Sequence, residues 1–187
     1  MRELLSVFQG TPRGSPIAGA VLRPTPDEIA ACDEICRQVH GHDRHCELHY
    51  WIDVGTARVV ERGGRITGYA TGFGYTGHAV GKTDDDVIAL LAGADAFTGL
   101  GFLVPSRNTR LMAWCFDSGL KIVQQSTLIA IGLYNEPRGA WLPSIGYQSP
   151  RPKVAHLLHI RHRRNEPSLR LRPKLRVVRL LSEILHR

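Results

Sequence analysis

The residues best suited to chemistry sit close together in the segment HGHDRHCEL. His40, Asp43, Arg44 and Glu47 fall within eight positions. Histidine beside carboxylates can act as acid, base or substrate clamp, and a guanidinium can hold an anionic group. A solvated loop laced with local ion pairs accounts for the same composition.

Cysteine and histidine give a second pattern. Cys32, Cys36 and His40 recur at four-residue intervals, which places them on one face of a helix. His42, His45, Cys46 and His49 follow. Zinc takes such ligands, but no C-x-x-C pair occurs and the spacing matches no standard site. Cysteines packed in a core with histidines at the surface fit the pattern better, so no metal is expected.

A third pattern, GHAVGKT at 77–83, approaches the phosphate-binding loop G-x-x-x-x-G-K-[ST] but is one residue short. Such a loop wraps phosphate with successive amide groups, so a deletion breaks its geometry. The start of the helix that follows would still favour an anion.

These residues need elements to hold them. ELLSVFQG reads as a strand, TPRGSPIAG as a linker and AVLRP as a second strand. Thr25-Pro26-Asp27-Glu28 forms a capping box with proline at the first helical position. The helix it opens runs to about His40 and stops at Gly41. A short helix follows over CELHYWIDV. TARVVER, Gly63-Gly64 and RITGYATGFGY form a hairpin, because the two glycines supply the positive φ angles of a two-residue turn. Residues 84–97 suit a helix with Asp84, Asp85 and Asp86 complementing its N-terminal dipole. GLGFLVP reads as a strand, 108–118 as a helix, KIVQQSTLIAIGLY as a β-rich run, and NEPRGAWLPSIGYQSPRP as a loop. Strands and helices interspersed in this order point to a mixed α/β or α+β domain built on a single sheet.

Composition fits a globular protein: of 187 residues, 43% are hydrophobic and 22% charged, enough to build a core. No apolar run approaches the roughly 20 residues of a membrane span, and no signal peptide is evident. A cytoplasmic protein without disulfides is expected. The net charge of +7 is unevenly spread. Residues 151–187 hold 11 Lys and Arg against 2 Glu, whereas 1–150 hold 13 against 15 Asp and Glu. Such a tail could meet nucleic acid phosphates or a membrane surface. With no aromatic residues interleaved for stacking on bases, a loosely ordered extension is the favoured reading. No membrane partner is expected.

Several segments together resemble a bacterial branch of the GNAT superfamily of acyl-CoA N-acyltransferases with two tandem domains. They are VHGHDR with Glu47-Leu48, TARVVERGGRITGYATG, GHAV, FLVPSRN, WCFDSGL and GLYNEPRGAWLPSIGY. ELLSVFQG looks like the last strand of a preceding domain. The resemblance therefore divides the chain into 1–19, the terminal strand and linker of that domain; 20–147, a GNAT-like domain; and 148–187, a basic extension.

The resemblance implies a twisted, mostly antiparallel sheet flanked by helices and splayed open near its middle, with acetyl-CoA in the gap. The reaction it implies is transfer of an acetyl group to an unidentified small-molecule or peptide amine. His40, Asp43, Arg44, Glu47, Tyr134 and Glu136 would then border the acceptor, and His78, Val80, Asn108 and Cys115 the acetyl-CoA. A preceding GNAT domain or a second copy would be its partner. The chain departs from the family pattern in two places. GHAVGKTDDD lacks the glycine-rich pyrophosphate loop, and Cys115 stands where a tyrosine belongs. A non-catalytic recognition or interaction domain, a degenerate half of a tandem protein, is the alternative reading.

Overall fold

The computed structural model describes residues 2–13, 19–130 and 134–145. The basic extension lies outside the described residues, as do most of the linker and part of the GLYNEP segment.

The chain opens with β1 (Glu3–Gln9) and continues through β2 (Ala20–Leu22) to a single 3-10 turn at Pro26–Glu28. Thr25 N–H donates to the Glu28 carboxylate at 2.6 Å, closing the turn that leads into α1 (Ile29–His40). Gly41 ends that helix at φ 77° in the left-handed conformation. Next come α2 (His45–Val54), β3 (Arg58–Arg62), β4 (Arg65–Ala70), β5 (Ala79–Gly81), α3 (Asp84–Ala92), β6 (Phe102–Pro105), α4 (Thr109–Asp117), β7 (Lys121–Leu128) and β8 (Ala140–Leu142). Gly63 and Gly64, at φ 58° and 72°, turn the β3–β4 hairpin. The order agrees with the sequence reading except that the 84–97 helix ends at Ala92 and the presumed loop contains β8.

The fold is α+β with antiparallel pairing throughout its strands, but hydrogen bonding divides them into two sheets rather than one. The order is β6-β1-β7 in the first and β2-β3-β4-β5-β8 in the second. The physical reason is the position of β8. It pairs with β5 through Ala79–Leu142, Val80–Trp141 and Gly81–Ala140, and so occupies the β5 edge that faces β6. β6 packs beside β8 but pairs only with β1.

Alternation along the strands feeds a core on each side. Val59, Tyr69, Val80 and Trp141 face α1 with Ile35, Cys36 and Leu48. Val60, Ala70, Ala79 and Leu142 face α3 and α4 with Leu90, Leu111 and Cys115. β1 serves both cores, since Leu5 and Val7 point one way and Phe8 the other across a bulge. All three are fully buried, as expected of the middle strand in its sheet.

Candidate functional site

The sequence candidates separate into three groups in space. The first lies where the end of α1 meets the start of α2. His40 Nε2 stands 3.0 Å from His78 Nε2, and both rings are buried. The Trp141 ring meets His40 edge-on at 5.6 Å. Asn135 Nδ2 donates to the His40 carbonyl at 2.5 Å, and Arg138 N–H to the Val39 carbonyl at 2.8 Å. The 134–138 segment therefore crosses the C-terminus of α1 and caps carbonyls the helix leaves open. Arg44, also buried, donates to Glu47 Oε2 at 2.5 Å and to Ser144 Oγ at 3.3 Å. Asp43 lies outside this group, exposed and paired with Arg37 at 3.3 Å.

The electrostatics of this group are those of a neutral interior. Burial, then Arg44 and His42, lower the His40 pKa to about 3. Burial and the same cations, with His40, hold His78 well below the usual imidazole range. The tautomers decide which ring donates in the Nε2–Nε2 contact, and His78 Nδ1 is buried without a hydrogen-bond partner among the described residues. Burial and lowered basicity both work against a role for this pair in taking up a proton from solvent or substrate.

Tyr134 and Glu136 form the second group, around Arg107. That guanidinium pairs with Glu136 and, at 2.9 Å, with Glu3 of β1. The guanidinium carbon of Arg2 stands 5.7 Å from the Tyr134 ring centre. Burial raises the Tyr134 pKa, and its hydroxyl is enclosed without a hydrogen-bond partner among the described residues. Asn135, between them, links this group to the first.

The third group surrounds the start of α3. Thr83 precedes the helix, and Asp86 Oδ2 accepts from its N–H at 3.0 Å and its hydroxyl at 2.7 Å. Asp86 Oδ1 accepts from Arg62 Nε at 2.6 Å and Thr67 Oγ1 at 2.7 Å. Burial pushes this carboxyl up, but the hydrogen bonds from Arg62, Thr67 and Thr83 outweigh it and hold it below the usual range. Gly68 and Gly81 let Asp86 approach the strands: a Cβ at Gly81 would lie 2.8 Å from the Asp86 Cβ. Asp84 accepts from Asn108 Nδ2 at 2.6 Å, and Asp85 from Arg110 Nη2 at 2.5 Å. The first turn of α3 thus carries three carboxylates, each held by a donor.

The phosphate-loop-like segment ends in the same place. Its middle residues form β5 instead of a loop, and Lys82 N–H is spent on the Thr67 carbonyl. The amides that would have to converge on a phosphate belong to the sheet.

Among the cofactor candidates, Val80 is a buried strand residue opposite Trp141, and His78 lies in the first group. Asn108 accepts from Leu111 N–H at 3.0 Å as the cap of α4. Cys115 is fully buried in the α3–α4 core, and burial pushes its thiol up to about 12. An open cleft of about 490 Å³ remains between the starts of α3 and α4, lined by Lys82, Asp84, Arg107, Asn108, Arg110 and Gly139.

Cys32 and Cys36 are buried thiols, raised by burial to about 12 and about 11. Among the described residues, no three His, Cys, Asp or Glu side chains converge on a common point for a metal. Likewise among them, no helix is long and apolar enough to cross a membrane.

Trp141, Asn135 and Ser144 complete the first group, and only their place in an apparent loop precedes them in sequence. Pairing of β8 with β5 is long-range and leaves no local signal. No protein-family model matches the chain, and neither a curated protein nor a solved structure matches it.

Proposed function

We propose that this chain is a GNAT-like domain that recognises a ligand or partner without itself transferring an acyl group, as the second half of a tandem protein. The observation that carries this reading is the seat of β8. It lies along β5 and beside β6, filling the space between the two sheets, whereas the resemblance calls for an open gap to take acetyl-CoA. The start of α3 supports it, because Asp84, Asp85 and Asp86 fill its first turn with negative charge that opposes a pyrophosphate. The His40–His78 pair supports it also, since both rings are buried, meet each other and have their basicity lowered by burial. The residues present do not fit acetyl-CoA as they stand, and no catalytic step is assigned to them.

A second reading, acetyl-CoA-dependent transfer to an amine, draws on the cleft at Lys82, Arg107 and Arg110. Two helices begin there, and helix starts favour anions. Arg107 and Arg110 would first have to leave Glu136 and Asp85. Calorimetry of the full chain with acetyl-CoA up to about 1 mM separates the two readings. No saturable heat is expected; a micromolar dissociation constant overturns the recognition reading in favour of the transferase. We place the domain in the cytoplasm, on the four free thiols Cys32, Cys36, Cys46 and Cys115, which suit a reducing compartment.

A further inference from the structure

A separate concavity lies between α2 and the loop that joins β4 to β5. It encloses about 160 Å³ and is lined chiefly by Trp51, Thr56, Thr71, Gly72, Phe73 and Thr98. None of its lining side chains ionises. Three of the hydroxyls are already engaged. Thr56 Oγ1 donates to the Thr71 carbonyl at 2.8 Å and Thr98 Oγ1 to the Phe73 carbonyl at 3.1 Å. Thr71 Oγ1 accepts from the His78 amide at 2.9 Å. The walls that remain are an indole, a phenyl ring, the small polar side chain of Thr76 and bare backbone at glycine. Leu48 is the fully buried residue of α2, and Trp51 is partly buried against the same core, with the exposed Tyr50 ring 5.0 Å away.

We infer that this pocket binds a neutral, single-ring group. Size and polarity both point there. A cavity of about 150 Å³ is large enough for benzene, and an uncharged lining offers a charged ligand nothing to offset its desolvation. Aromatic walls gain from stacking or edge contacts with a ring. The inference deepens the recognition reading, on which it rests, by naming the class of group recognised.

The test is a nuclear magnetic resonance titration of the full chain with p-cresol, followed at the indole N–H of Trp51, with benzoate and benzylammonium as charged probes of the same size. Trp114, on the other core, is the internal reference. Saturable shifts at Trp51 with p-cresol are expected, and binding at least tenfold weaker for each charged probe. Gly72→Val should weaken p-cresol at least tenfold while keeping the indole. A Cβ there meets only the Thr56 Cβ and Oγ1, each at 3.8 Å, and the backbone accepts a side chain. Shifts at Trp51 no larger than at Trp114, or charged probes binding within threefold of p-cresol, overturn the inference. Because these outcomes are read without acetyl-CoA, they are distinct from failure of the recognition reading itself.

Discussion

At the scale of single residues, two buried polar groups govern this molecule. His40 and His78 are imidazoles kept neutral by burial and by Arg44. In the unfolded chain each has a pKa of about 6.5. Between that value and about 3, the unfolded state binds protons that folded His40 refuses, and His78 shifts in the same direction. Stability is therefore complete above the unfolded pKa and is lost as pH falls. Urea denaturation from pH 7 to pH 4 should show this loss, and the double variant His40→Gln, His78→Gln should flatten it. Parallel curves for the two proteins would refute the assignment. Asp86 is the other group. It answers Arg62, Thr67 and Thr83 at once, with Arg62 still 30% exposed. Asp86→Ala should cost about 2–4 kcal/mol in chemical denaturation, since it removes a cap and leaves a half-buried guanidinium short of its partner. A loss under about 1 kcal/mol would mean that the carboxylate only decorates the helix.

At the scale of elements, local chemistry was decisive wherever a turn or a cap had to form. Gly63 and Gly64 both adopt positive φ, and a Cβ at either would meet nothing within 4 Å. The cost of a side chain there is backbone conformation alone. Gly64→Val should therefore destabilise by about 1–2 kcal/mol, whereas Gly64→Asn should cost a few tenths, because asparagine tolerates the left-handed region. Equal losses for the two variants would point to contacts instead of torsion. The capping residue Thr25, the acidic first turn at Asp84–Asp86 and the stop at Gly41 were equally legible. β8 was not. Three residues among prolines and glycines carry no periodicity, and their strand state exists only because the β5 edge is available.

At the scale of the whole molecule, β1 binds the architecture together. It lies between β6 and β7 although it comes first in the chain, and it contributes to both cores. Deleting residues 1–10 should abolish cooperative thermal unfolding, since β6 and β7 have no other partner in their sheet. A sharp melting transition in the shortened protein would show that the remaining sheet closes on its own. Removing 151–187 should leave the melting temperature within a few degrees, because the described strands and helices are complete by Leu142. Circular dichroism of the two shortened proteins decides both points. A shortened chain that fails to fold would mean that the extension belongs to the core.

The amino-acid sequence by itself determined the alternation of helices and strands, the hairpin and most helix boundaries. Capping boxes, paired glycines and apolar spacing act within a few residues of one another. It also brought His40, Arg44 and Glu47 into one neighbourhood, since a single helix–turn–helix carries them. Only the tertiary structure decided that His78 would meet His40 across 38 positions, that Tyr134 and Glu136 would gather around Arg107, and that Cys115 would face the opposite core. It also decided that the strands would divide into two sheets. The reason is common to all four. Each depends on which strand occupies which edge, and that competition is settled by burial of both faces of the sheet at once, a quantity no local window contains.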